Sequence, residues 1–153
     1  MESAKILQAH VDKGIQIARK YGLPKPIVNF IPEHQGTLKM GYFLSKAKEK
    51  DKNVSEKNFK YKGPIPQSKE TAILMLADGC EAALRAMDIN ASDKEALKII
   101  SKIINFRIED GQLLDSNFSR GEIYLIKISF LNVWKRVRHR RIQYPTAKNK
   151  SCP

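Results

Sequence analysis

Hydrophobic residues recur along this chain at every third or fourth position, the spacing that places them on one face of an α-helix. The pattern predicts helices at about residues 3–21, 24–32, 38–50, 69–87, 92–108 and 119–141. No segment alternates between apolar and polar residues as a half-buried β-strand does. We therefore predict an all-α fold, a bundle of helices without a sheet.

Local signals mark several helix ends. Ser92 with Glu95, and Ser119 with Glu122, match the capping box that opens a helix. Gly22 stands in front of a proline and is expected to end the first helix. These signals support the helix boundaries independently of the hydrophobic pattern.

The segment at residues 69–87 is the element around which the other helices are expected to pack. Its apolar residues form a wide stripe of Ile73, Leu76, Ala77, Cys80, Ala83, Leu84 and Met87. Asp78 falls inside this run, where a carboxylate costs several kcal/mol unless it is paired, hydrogen-bonded or bound to a metal. Two explanations stay open: Arg85 or a backbone amide holds Asp78, or Asp78 serves a metal or active site.

Two histidines occupy positions from which they could serve a site. His10 lies beside the apolar face of the first helix, one turn before Gly14. Glycine inside a helix costs about 1 kcal/mol relative to alanine, so a neighbouring element is expected to need the room. His34 follows the second helix at the edge of a loop. Together with Asp78, these imidazoles would suit a divalent transition metal, although a lone histidine is more often an ordinary packed residue.

Residues 51–68 form the one long irregular stretch, because the prolines in its second half remove backbone donors and favour extended conformations. Long loops in compact domains are often functional. The ordinary alternative is a linker that packs Phe59, Tyr61 and Ile65 on the surface.

Composition narrows the class of protein. The length of 153 residues suits one domain, and no apolar run approaches the roughly 20 residues that a membrane span needs. Cys80 and Cys152 are far apart and form no disulfide framework, which fits a reducing cytoplasm. The net charge of +12 favours anionic partners without choosing among them.

Four short segments occur in one order with typical gaps: AHVDKG at residues 9–14, PEHQGT at 32–37, YKGPIPQSKE at 61–70 and LADGCEAA at 76–83. Together they resemble the cytoplasmic HD-type phosphohydrolase domain of the seven-transmembrane HD receptors, a family that includes the PgpH-type cyclic di-AMP phosphodiesterases. The segment at residues 139–145 is similar to the end of that domain. The resemblance therefore spans most of the chain.

This resemblance implies a helical bundle of the HD type in which two metal ions, iron or manganese, activate a water that attacks a phosphodiester. His10, His34 and Asp78 would be metal ligands, and Asp78 would close the site. Lys69 and Arg85 would help to hold phosphate beside it. Residues 1–145 would form the C-terminal portion of the domain, and residues 146–153 a disordered basic tail.

Two departures from the family pattern stand beside these matches. In the family, the first histidine and the His-Asp dyad lie upstream of the segment that resembles the one with His10, so we expect them to be missing from this sequence. Gln35 stands where the family pairs His34 with a second histidine, and an amide oxygen binds these metals less well than imidazole. We therefore expect an N-terminally incomplete domain with weak or no phosphodiesterase activity. A second copy of the chain could cover the apolar surface left exposed.

Two other functions stay open at this point. The site expected at His10, His34 and Asp78 could bind a cyclic dinucleotide without hydrolysing it, as a sensing or interaction module. Alternatively, the basic end of the last helix could bind nucleic acid, because arginines beside Trp134 can contact phosphates and stack on bases. The arginines concerned are Arg136, Arg138, Arg140 and Arg141.

Overall fold

The computed structural model describes residues 2–88 and 90–139. The α-helices in this part of the chain are α1 (Glu2–Lys20), α2 (Lys25–Glu33), α3 (Gly41–Lys50), α4 (Lys69–Arg85), α5 (Asp93–Glu109) and α6 (Arg120–His139). Two short 3-10 helices lie at Glu56–Phe59 and Leu114–Ser116. The described residues contain no strand, so the all-α prediction is confirmed.

The main core lies where α4, α5 and α6 meet. Its buried residues are Ala72, Leu76, Cys80, Leu84, Ala96, Ile100, Ile104 and Leu113. Half-buried side chains of α6, Phe130 and Trp134 among them, close it from the third side. Burial raises the pKa of the Cys80 thiol to about 11, so this cysteine serves as a small protonated core residue.

Side-chain caps define the start of three helices. The Ser92 box opens α5 as predicted, and the hydrogen bonds between Ser119 and Glu122 open α6. A further box, formed by Ser68 and Thr71, opens α4. The sequence pattern did not reveal it because threonine takes the place of the usual Glu or Gln.

The third helix begins at Gly41, three residues later than predicted. Residues 38–40 lie outside the helix instead, because their backbone groups pair with the segment that follows the first 3-10 helix. The N–H of Met40 donates to the carbonyl of Phe59 over 2.7 Å, and the N–H of Tyr61 donates to the carbonyl of Leu38 over 3.0 Å. This pairing ties the chain after α2 to the chain before α4.

The same pairing buries part of the long irregular stretch. Phe59 is 1 % exposed and packs in a second apolar cluster with Ala4, Met40 and Leu44. The alternative of an ordinary linker with Phe59 on the surface is therefore wrong for this residue. The stretch between α3 and α4 is a packed part of the domain.

The buried face of α4 also differs from the predicted stripe. Ile73 is 39 % exposed, whereas Ala72 and Met75 are buried. Asp78 lies on the exposed side of the helix. The expectation that Asp78 carries a burial penalty was wrong, because α4 contacts the core along one face only.

None of the described helices combines the length and the apolar character that crossing a membrane requires.

Gly14 allows α1 and α2 to approach each other closely. A Cβ atom at this position would lie 2.8 Å from Cγ2 of Ile31 on α2, a distance that real Cβ contacts do not reach. The expectation that a neighbouring element needs the room at Gly14 is thus confirmed. The close approach matters because His10 lies one turn away from Gly14 on α1.

We predict that Gly14→Ala destabilises the protein although alanine is the better helix former by about 1 kcal/mol. Ile31 is β-branched and has little rotamer freedom, so the helices must move apart, at a net cost of about 1–2 kcal/mol. Gly121→Ala is the matched control, because the nearest atom to its added Cβ is 4.0 Å away. Urea unfolding followed by circular dichroism measures both variants. Equal free energies of unfolding would contradict the close packing at Gly14.

Candidate functional site

The packing of α1 against α2 brings two predicted site residues together. His10 projects from α1, and His34 caps the C-terminal end of α2. Their ring centroids lie 5.7 Å apart, with an angle of 62° between the ring planes. The two histidines that the family resemblance placed in one site therefore lie side by side in the fold.

Both imidazoles are held by backbone carbonyls of their own helices. Nδ1 of His34 lies 2.7 Å from the carbonyl oxygen of Ile31 and 3.1 Å from that of Phe30. Nδ1 of His10 contacts the carbonyl oxygen of Leu7. A carbonyl oxygen only accepts hydrogen bonds, so Nδ1 is the protonated nitrogen in each neutral ring. This leaves the lone pair of Nε2 free on both histidines, the tautomer of a metal-ligating imidazole.

Tyr61 is a third member of the site, and its place there was not predicted from the sequence. Its ring stands edge-on to His10, with the centroids 6.0 Å apart. Burial raises the pKa of the Tyr61 phenol, and the negative charge of Asp78 raises it further. The phenol is therefore protonated at neutral pH. Its position in a segment that pairs with residue 38 was not visible in the local sequence.

Asp78 reaches the site through its charge. Its carboxylate acts on the phenol of Tyr61 from α4 and on the guanidinium of Arg107 on α5. In residues 2–88 and 90–139, no group of three or more His, Cys, Asp or Glu side chains is arranged to hold a metal ion. The structure therefore supplies a pair of imidazoles with a carboxylate nearby. The assignment of Asp78 as a third ligand stays a prediction.

Arg107 is a half-buried cation whose position beside Asp78 was not predicted from the sequence. The lack of a side chain at Gly79 makes room for it, since a Cβ there would lie 3.2 Å from an Arg107 terminal nitrogen. Burial lowers the pKa of Arg107, and the carboxylates of Asp110 and Asp78 oppose the shift. Nε of Arg107 is buried without a hydrogen-bond partner among the described residues. The guanidinium thus lies against α4 beside the residue that carries the site carboxylate.

The two residues expected to hold phosphate are engaged elsewhere. Nζ of Lys69 lies 2.5 Å from Oε1 of Glu122, and Arg85 forms a 2.5 Å ion pair with Glu81. At a rise of 1.5 Å per residue, Lys69 and Arg85 lie roughly 13 Å and 10 Å along α4 from Asp78, in opposite directions. Neither joins the histidine pair, so their phosphate-binding roles stay predictions.

Arg85 lines a different surface feature. An apolar groove of about 500 Å³ runs between α4 and α6, and both Arg85 and Trp134 line it. Arg138 lies over the Trp134 ring at 5.0 Å and donates to the carbonyl of Ala91. Of the other arginines proposed to bind nucleic acid, Arg136 is exposed. The remaining two, at positions 140 and 141, lie outside the described residues, as do Cys152 and the predicted tail.

A buried carboxylate holds the end of α2 in place. Glu33 is 3 % exposed, and its Oε2 accepts hydrogen bonds from Oγ1 of Thr71 at 2.6 Å and from the N–H of Gln67 at 2.9 Å. Thr71 is also part of the cap of α4. The side chain of Glu33, the residue before His34, therefore connects the end of α2 to the start of α4, the helix that carries Asp78.

The buried side-chain amide of Gln112 holds the turn that follows His34. Gln112 is 1 % exposed. It accepts from the N–H of Thr37 at 3.1 Å and donates to the hydroxyl of that residue at 2.9 Å. Gly36 has a φ of 53°, and a Cβ on it would lie 2.4 Å from Oε1 of Gln112. Glycine is thus required where the turn passes this amide.

Comparisons with known proteins agree with this architecture. No family model matches the chain. It is 44 % identical over 150 residues to the uncharacterized protein slr0104 of Synechocystis, a match that covers 95 % of this chain and 18 % of that protein. It is 36 % identical to the cyclic-di-AMP phosphodiesterase PgpH of Bacillus subtilis, with coverage of 97 % and 21 %.

A solved structure extends the comparison to the fold. The HD domain of Listeria monocytogenes PgpH in complex with cyclic-di-AMP matches with a TM-score of 0.85 and 34 % identity, over 94 % of this chain and 67 % of that one. The chain belongs to the PgpH HD-domain family. The HD-type helical bundle implied by the resemblance is therefore confirmed. The chain spans about a fifth of the length of the curated PgpH relatives, whose matched shares are 21 % and 20 %.

We predict that Glu33→Ala lowers the free energy of unfolding by about 2–4 kcal/mol, because it leaves the Thr71 hydroxyl and a backbone N–H without their buried acceptor. Glu33→Gln keeps an acceptor oxygen and should cost less. Glu49→Ala is the control, because its ion pair with Lys46 is 59 % exposed at Glu49 and should contribute less than about 1 kcal/mol. Urea unfolding measures all three variants. A cost for Glu33→Ala no greater than that for Glu49→Ala would contradict the role assigned to this carboxylate.

Proposed function

We propose that this chain is the histidine-bearing part of a metal-dependent HD phosphodiesterase domain that acts on a cyclic dinucleotide. The observation that carries the proposal is the pair of imidazoles His10 and His34, each anchored through Nδ1. HD phosphodiesterases are metal-dependent, and an anchored Nδ1 with a free Nε2 is what a ligating histidine presents. The PgpH HD domain of known structure was solved with cyclic-di-AMP.

The residues present fit a divalent transition metal in part. Nε2 of His10 and Nε2 of His34 would hold it, and the Asp78 carboxylate would add a negative charge or a third donor. When bound, such an ion lowers the pKa of a coordinated water and polarises a phosphoryl oxygen. The anchored Nδ1 atoms keep both rings in one orientation, so little ordering remains to be done when a ligand arrives.

The protein's electrostatics favour an anionic substrate. The net charge of +12 raises the local concentration of phosphodiesters. Arg107 places a further positive charge beside Asp78. We also propose a cytoplasmic location, supported by the buried Cys80 thiol, which is free among the described residues.

A second candidate function is binding of a cyclic dinucleotide without hydrolysis. It is supported by Gln35, which replaces an imidazole of the family pattern, and by the lack of a group of three metal-binding side chains among the described residues. A homodimer is a separate proposal. It is supported by exposed apolar side chains such as Ile17 on α1 and Leu125 on α6.

We predict that the protein retains Mn²⁺ after gel filtration, and that His10→Ala and His34→Ala each weaken Mn²⁺ binding by at least about tenfold. Loss of even an outer hydrogen-bond partner costs 10–100-fold in metal affinity, and loss of a ligand should cost more. Elemental analysis gives the stoichiometry, and calorimetry gives the affinity. Asp88→Ala is the control, because Asp88 lines the separate groove between α4 and α6. Wild-type protein that retains no Mn²⁺ would contradict the proposed manganese site.

We also predict that Gln35→His strengthens Mn²⁺ binding several-fold relative to wild type. The variant restores the second imidazole of the family pattern next to His34, and imidazole suits these ions better than an amide oxygen. Gln67→His is the matched control, since Gln67 bonds to Ile65 and Asp115 through its side chain. Hydrolysis of cyclic di-AMP is then assayed with both variants and with wild type. Dinucleotide binding without turnover in all three would favour the sensing function over the enzyme.

A further inference from the structure

Tyr61 and His10 are placed opposite each other by contacts on both sides of each residue. Two positions before His10, the Gln8 amide donates to the carbonyl of Lys60 at 2.8 Å. Two positions after His10, the Asp12 carboxylate pairs with Nζ of Lys62 at 3.0 Å. The residues bound by these contacts, Lys60 and Lys62, are the two neighbours of Tyr61. The contact between the rings of Tyr61 and His10, whose centroids are 6.0 Å apart, therefore lies between two further contacts that join the same two segments.

The backbone of Tyr61 is fixed from a third direction. Its N–H donates to the carbonyl of Leu38 over 3.0 Å, in the segment that follows the His34 turn. Phe59, two residues earlier, is buried in the apolar cluster below α3. A small cavity of about 50 Å³, lined by Tyr61, Asp12 and Gly36 among others, separates the tyrosine from the turn and has room for water.

The hydroxyl of Tyr61 is free for a ligand. It makes no hydrogen bond to any described residue, and it is not one of the buried polar atoms that lack a partner in this part of the chain, so it is accessible from solvent. A tyrosine phenol carries its proton at neutral pH, so Tyr61 offers an O–H donor. His10 on α1 lies edge-on to the ring, and the charge of Asp78 on α4 acts on the phenol. An O–H donor beside the histidine pair is placed to meet an oxygen of a phosphodiester bound there.

We infer that Tyr61 is a ligand-contacting residue of this site, whose hydroxyl donates a hydrogen bond to a phosphate oxygen of the bound cyclic dinucleotide. The inference rests on the proposed function and adds to it a substrate contact outside the predicted ligand and phosphate-binding residues. Tyr61 is not a proposed metal ligand, because the proposed ligands are His10, His34 and Asp78. Removal of the hydroxyl alone should therefore weaken dinucleotide binding and leave metal binding unchanged.

The test compares Tyr61→Phe with wild type by two titrations. Calorimetry first measures Mn²⁺ binding to the whole chain, then cyclic di-AMP binding to the Mn²⁺-equilibrated protein. Tyr61→Phe keeps the ring against His10, so Mn²⁺ affinity should stay within twofold, whereas cyclic di-AMP affinity should fall about tenfold, the loss expected for one hydrogen bond to a charged group. Tyr42→Phe is the control, because Tyr42 is 69 % exposed on α3.

Each other result has a defined meaning. If wild type binds cyclic di-AMP and Tyr61→Phe binds it equally well, the inference fails and the proposed function stands. If Tyr61→Phe loses Mn²⁺ as well, Tyr61 organises the histidine pair and is not a ligand contact. If wild type with Mn²⁺ binds no cyclic di-AMP, the proposed function fails and the inference fails with it.

Discussion

The buried carboxylate of Glu33 is the contact on which the candidate site depends most. Burying a carboxyl group is costly unless hydrogen bonds replace the hydration that it loses. Here a threonine hydroxyl at 2.6 Å and a backbone N–H at 2.9 Å do so. Because Glu33 immediately precedes His34, these two bonds also place the histidine. The stability of the domain and the geometry of the site are thus coupled through one side chain.

The same constraint explains why α4 can carry a site residue at a useful position. Thr71 caps α4 and also donates to Glu33, so the start of this helix and the end of α2 share a hydroxyl. Gln112 then fixes the turn after His34 from the side of α5. Polar groups buried in this way are expensive to leave unpaired, which favours a single arrangement over several similar ones. The turn that contains His34 is therefore held at both ends.

Local sequence was enough to predict the helices, two of the capping boxes and the need for space at Gly14. Each of these depends on residues within one or two turns. The contacts that build the site do not. Glu33 is 38 residues from Thr71, and Thr37 is 75 residues from Gln112. No periodicity reports such pairs. The pairing of residues 38–40 and the burial of Phe59 were missed for the same reason, since backbone pairing with a distant segment overrode the helical pattern.

The histidine convergence was expected from family resemblance, not from spacing, and the structure adds the physical reason that the resemblance lacked. Helical carbonyls hold Nδ1 of each ring, which selects the tautomer before any ligand arrives. Asp78 was expected in the interior, and its exposure changes how its charge acts. Because it carries no burial penalty, it needs no permanent partner, and its field extends both to Tyr61 and to Arg107.

This balance of charges bears on what the site can bind. Two imidazoles at 5.7 Å lie in a chain of net charge +12, so a further cation there is opposed by the protein's own field. Asp78 is the carboxylate whose charge reaches Tyr61 and so counters this field at the site. The same positive field favours an anionic ligand, since its phosphates would be attracted by the whole chain and oriented by fixed local donors. Metal and phosphodiester are therefore expected to bind cooperatively, because each supplies the charge that the other lacks.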